Sequence, residues 1–113
     1  MNDTLPNILK IEAKQKLIET AISITKDEIG IVEGCRLISK LIHKAGVEED
    51  ELFLPIIGVD SETDHYPFGK VRDQYNADYL KKLDEEIKAY ETRNKNLIVD
   101  VCKDIVTKYA NKR

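Results

Sequence analysis

The sequence predicts an all-α fold: three to four helices, the last of them long, interrupted by one irregular acidic segment. Three observations carry that expectation. Apolar residues recur at three- and four-residue steps over most of the chain. Neither Gly nor Pro occurs after Gly69, and turn formers concentrate between Gly46 and Gly69. With 113 residues the chain forms one helical domain, 1–113, large enough to bury about two-thirds of its unfolded surface around a single core.

The first helix is expected over about 7–24, entered through Leu5-Pro6-Asn7. Ile8, Ile11, Leu17, Ile18, Ala21 and Ile22 lie along one side of it. A second runs from about 26 to 44 and stops at Ala45-Gly46, with His43 and Lys44 suited to the negative end of the helix dipole. The residues leave open whether the two helices break at 23–27 or merge. Gly30 and Gly34 fall inside this second helix, each at a cost of about 1 kcal/mol relative to Ala. Their four-residue spacing predicts a face where another helix crosses closely.

Beyond Gly46 the pattern changes. Glu48-Glu49-Asp50-Glu51 suits the positive start of a short helix, but the apolar run from Leu52 to Val59 is broken by Pro55 and is too short for a strand. Asp60 to Gly69 reads as an ordered loop rich in turn formers. The last helix starts at Val71 or Ala77 and reaches Tyr109. Its seam of Leu80, Leu83, Ile87, Tyr90, Asn94, Leu97 and Val101 alternates steps of three and four. Unbroken, it would be ~50 Å long at 1.5 Å per residue, so it either bends or overhangs, with Asn94 the expected place for a break.

The composition, 42% apolar and 35% charged, excludes both a disordered chain and a membrane protein. No run approaches the ~18 to 20 apolar residues of a bilayer span. Residues 1–7 lack the basic head and apolar stretch of a signal peptide, so a cytoplasmic location is expected. Cys35 and Cys102 have no CxxC companion and read as reduced core thiols rather than a disulfide or metal site.

Charge is unevenly placed. Seven acids, Glu48, Glu49, Asp50, Glu51, Asp60, Glu62 and Asp64, lie between Gly46 and Pro67 without a Lys or Arg. The net charge is −3, so this segment carries −7 and the rest of the chain +4. That balance argues against direct nucleic-acid binding. Asp60-x-Glu62-x-Asp64 imitates the opening of a calcium loop, but His65 stands where the turn Gly belongs and Val71 where the bidentate Glu belongs. Asp60, Glu62 and His65 form a conceivable hydrolase set, with no nucleophile or phosphate-cradle motif beside them. No metal, cofactor or enzymatic activity is expected.

Two readings of the acids remain. In one they cap helices and solvate the surface while Phe53, Tyr66 and Phe68 close the core. In the other they create a negative field that speeds encounter with a basic protein, and an aromatic is buried at the contact. Arg36, Arg72 and Asn76 compete for the same carboxylates. Arg36 held by Asp60 or Glu62 would turn part of the segment into a structural lock.

Glu33-Gly34-Cys35-Arg36, Phe53-Leu54-Pro55, the run from Gly58 to His65 with Pro67 and Gly69, and Asp84-x-Glu86-Ile87 resemble a group of small bacterial proteins without assigned enzymatic activity. The resemblance covers about 28–106. It implies an immunity protein of contact-dependent growth inhibition, one that neutralises the C-terminal domain of a toxin, with a nuclease the expected toxin class. The expected contacts are Glu49, Asp50, Glu51, Asp60, Glu62, Asp64 and Tyr66. The alternative is a non-enzymatic helical adaptor or self-associating structural protein, a homodimer through the Leu83 and Ile87 seam.

Overall fold

The computed structural model describes the backbone of residues 4–110 and the side chains of 7–110. Its elements are α1 (Thr4–Thr25), α2 (Ile31–Ala45), α3 (Leu54–Glu62) and α4 (Ala77–Ala110), with short 3-10 helices at Glu51–Phe53 and Gly69–Gln74. The described residues contain no strand. None of their helices is long and apolar enough to cross a membrane. The expected all-α class is therefore observed, with four α-helices and a long last one. Met1, Asn2 and Asp3, part of the stretch read for a leader, lie outside the described residues.

The first two helices break rather than merge. Asp27 takes a left-handed φ of 61°, its N–H donates to the Ile24 carbonyl, and the Glu28 N–H donates to the Ser23 carbonyl. This is the Schellman stop usually built on Gly, here on Asp. Gly46 closes α2 in the same way, its N–H donating to His43 and that of Val47 to Ile42. Ile42 and Val47 are both buried, as the hydrophobic contact of that motif requires.

Ending α1 at Thr25 places Gly30 just before α2 rather than within it, in extended conformation. A Cβ there would lie 2.6 Å from the Glu91 carboxylate, and Glu91 accepts the Val32 N–H at 3.0 Å. Gly30 thus makes room for a side chain from α4 that satisfies the start of α2. Gly34 does serve the predicted crossing: a Cβ would lie 2.6 Å from Ile24 of α1. Gly34→Ala is expected to destabilise the protein by roughly 1–3 kcal/mol through overpacking, read as a lowered urea midpoint at unchanged slope.

The α1 stripe buried in the core is Ala13, Leu17, Ala21 and Ile24, whereas Ile8 and Ile11 are exposed, contrary to the expected face. Lys10 lies against Gly46 at the end of α2, so the first turns of α1 project beyond its partner. Against that stripe pack Cys35, Ile38 and Ile42 of α2, and Ile98, Cys102 and Ile105 of α4. Both thiols are free and buried, and burial pushes them up, Cys102 to about 12, so neither is a reactive thiolate at neutral pH.

Helix α4 is unbroken, and within it the Asn94 side-chain amide donates to the Tyr90 carbonyl one turn back at 2.9 Å. At 34 residues it is ~51 Å long by the α-helical rise, which accounts for the 54 Å long axis of the molecule. The seam holds at Leu83, Ile87 and Val101, which are buried, but Leu97 is 56% exposed and Ile98 and Cys102 join the inner face. A straight α-helix turns about 20° per heptad away from a 3.5-residue repeat, so two heptads beyond Leu83 the drift of about 40° carries Leu97 to the edge of the buried stripe.

The segment expected to be irregular contains α3. Pro55 sits in its first turn, where the missing N–H is no loss, and Ile56, Val59 and Thr63 face inward at helical spacing. The reading of 60–69 as loop therefore fails for Asp60 to Glu62, which end α3, and for Gly69, which begins a 3-10 turn. Asn76 pairs with none of the acids. It caps α4, accepting from the Asp78 N–H at 2.8 Å.

Candidate protein-binding surface

The acidic segment is pinned to the rest of the fold at both ends. At its start, Asp50 Oδ1 accepts the Leu52 N–H at 2.9 Å, while Oδ2 receives Lys108 Nζ at 2.7 Å and the Tyr109 hydroxyl. Tyr109 packs on Phe53, with ring centroids 6.0 Å apart. These bonds, Lys108 first, pull the Asp50 carboxyl down to about 2. The clamp borders an open cleft of about 570 Å³ whose walls also carry Lys14, Glu49 and Glu51.

At its far end, Arg36 of α2 donates to the Thr63 carbonyl at 2.6 Å and to the Tyr66 carbonyl at 2.8 Å. Its Nε lies 3.5 Å from Asp60, and its guanidinium rests on the Phe68 ring at 4.9 Å. The expected lock between Arg36 and Asp60 therefore exists, and the planar five-donor fork explains why one side chain reaches all of these groups. Glu62 accepts from the Tyr90 hydroxyl and Tyr66 donates to Glu86 at 3.0 Å, tying the same region to α4. Arg72 adds a two-pronged pair with Asp84, at 3.0 and 2.8 Å.

The expected contact residues divide on this geometry. Asp50 is 12% exposed at its side chain and Asp60 is held by Arg36, so both serve the fold. Tyr66 is buried with Val32, Leu83 and Ile87 in a second core cluster, which corrects its assignment as an outward aromatic anchor. Glu49, Glu51 and Asp64 are exposed, Asp64 at 76% of its side chain beside His65. Glu62 is also exposed while bonded to Tyr90. Within 48–64, the exposed negative charge comes from these four and from Glu48, which pairs with His43 at 3.3 Å.

Asp60, Glu62 and His65 do not converge. Their partners are Arg36, Tyr90 and Asp64 respectively, so the conceivable hydrolase set is dispersed. The i, i+2 spacing that imitated a calcium loop fails for the same reason, because the first two residues end a helix and diverge around its axis. Leu83 and Ile87 are covered by the chain's own Val32 and Tyr66, so that part of the seam offers no free face for self-association.

The periodicity did not reveal the outer side of α3. Leu54 is 62% exposed and Ile57 40%, and Gly58 and Ser61 lie on the same side of the helix. The signal that would have found them was Pro55 as a helix start, which phases the following residues at 3.6 per turn. Comparison of the chain with protein-family models, curated proteins and solved structures finds no match in any of the three.

Proposed function

We propose that this chain acts by stoichiometric binding rather than catalysis, docking the acidic face of 48–64 onto a basic protein, the C-terminal domain of a bacterial toxin, and blocking it. One observation carries the reading: Glu49, Glu51, Glu62 and Asp64 stay exposed on a segment whose two ends are locked by Asp50 and Arg36. A fixed field of one sign raises the encounter rate with the opposite sign, and rigidity lowers the ordering cost of the complex. The resemblance of the Glu33 to Arg36 and Gly58 to His65 motifs to small bacterial proteins without assigned enzymatic activity, read as immunity partners of toxins, supports the choice of partner. A toxin that cleaves nucleic acid has a basic substrate surface, and carboxylates compete there with phosphates.

The test is sequencing of the reading frames that flank this one and co-expression with the toxin domain sought there, scored by growth, together with association rates of the purified pair; flanking frames without a toxin domain count against the choice of partner. The triple variant Glu49→Gln, Glu51→Gln, Asp64→Asn is expected to associate about tenfold more slowly at low salt and to lose most of the salt dependence. Protection without a complex, or an association rate indifferent to ionic strength and to these charges, rejects the proposal.

A further inference from the structure

The outer side of α3 carries a glycine that no contact among the described residues explains. Gly58 sits in the second turn of the helix, where Gly is the poorest helix former after Pro. Its φ is not positive, and a Cβ built on it meets no atom within 4 Å. Gly30 and Gly34, by contrast, each have a neighbouring side chain in the space a Cβ would take. Among the described residues, nothing takes up the space beside Gly58.

Around it the spacing is specific. Leu54, Ile57, Gly58 and Ser61 stand at i, i+3, i+4 and i+7, the four positions that frame a hole for a side chain of a facing helix. All four are at least partly open to solvent, so the hole is vacant and its floor is bare backbone. Small residues at a contact let two helices approach more closely than their usual 8–10 Å separation allows. Two aliphatic walls make the centre apolar, while Glu51 precedes it by one turn and Glu62 and Asp64 follow it. An apolar centre within a charged rim is the anatomy of a protein interface.

We infer that the outer face of α3 is a helix-docking site, in which a large apolar side chain from a basic amphipathic helix of the partner seats over Gly58 between Leu54 and Ile57. Charge complementarity selects that occupant. A second copy would bring its own acids against Glu51, Glu62 and Asp64, whereas a helix with Lys and Arg flanking its apolar seam pairs with them. The inference rests on the binding reading above and names the part of the surface that carries affinity rather than encounter rate.

The probe is a synthetic lysine-rich helical peptide with a Leu and Phe seam, titrated into the 15N-labelled protein. Saturable shifts are expected at Leu54, Ile57, Gly58 and Ser61. Gly58→Leu fills the hole and is expected to weaken binding at least tenfold, with Gly58→Ala intermediate. Both variants should melt at or above the wild-type temperature, since each replaces Gly in a helix. Shifts centred elsewhere, or peptide affinity unaffected by Gly58→Leu, overturn the inference, as does a wild-type dimer that this variant dissolves. The growth assay separates the two readings. Protection that depends on the acids but ignores Gly58→Leu overturns the docking site alone, and peptide docking at Gly58 without protection overturns the toxin reading alone.

Discussion

Arg36→Met is expected to destabilise the protein by roughly 2–4 kcal/mol. Methionine keeps the apolar stem and removes the fork. Two backbone carbonyls, those of Thr63 and Tyr66, then lose a charged donor, at about 1–3 kcal/mol for each acceptor left dry. Asp60 loses its counter-ion at the same time, and Phe68 the cation over its ring. Partial exposure of the Arg36 and Asp60 side chains limits the penalty, because water reaches some of what the guanidinium releases. Arg36→Lys is expected to recover less than half, since an ammonium is a point charge that cannot serve two carbonyls and a carboxylate at once. Urea denaturation gives the magnitude. Hydrogen exchange gives the place: protection should fall first at 63–66, where the Thr63 and Tyr66 N–H bonds depend on the turn that Arg36 holds.

The same locked segment shows what was legible from residues alone. The long last helix was, because a 34-residue run without Gly or Pro leaves the backbone little else to do. The pairing of Arg36 with Asp60 was legible as a possibility, since an Arg amid an apolar helix needs acceptors and the acids supply them. Helix α3 was hidden because its nine residues are too few to establish a period and because Pro55 reads as a breaker until its place in the first turn is known. Asp50 was misassigned to a partner because its own partners, Lys108 and Tyr109, come from 58 and 59 positions away, and sequence carries no signal for such a meeting. Tyr66 failed differently: an aromatic among acids suits an interface and a small satellite core equally, and only the approach of Leu83 and Ile87 decides for the core.

The clamp at Asp50 is expected to lose strength at both ends of the pH scale, with opposite signs of proton uptake. In the folded protein this carboxyl is held down to about 2 by Lys108 and Tyr109, against 3.8 when unpaired. Above pH 4 both folded and unfolded states are ionised, and the full stabilisation is present. As pH falls from 4 toward 2 the unfolded chain takes its proton first, so the contribution is lost over that window. Its size follows from the shift as at most roughly 2 kcal/mol, discounted toward 1 because the clamp borders an open cleft. Tyr109 behaves in mirror image. Burial first, then the bond to Asp50, pushes its hydroxyl from 10.0 up to about 12, so its contribution is complete below pH 10 and disappears as pH rises from 10 to 12. Asp50→Asn should therefore lower stability by about 1–2 kcal/mol at pH 7 and show a shallower decline than wild type between pH 4 and 2. Tyr109→Phe should leave the acid limb partly intact while making the decline between pH 10 and 12 shallower than in wild type, the remainder coming from Tyr66 and Tyr90, whose hydroxyls are also pushed up by burial. Parallel stability curves for wild type and Asp50→Asn through the acid window would mean that the carboxylate is not held by these two donors, and that the segment's first anchor lies elsewhere.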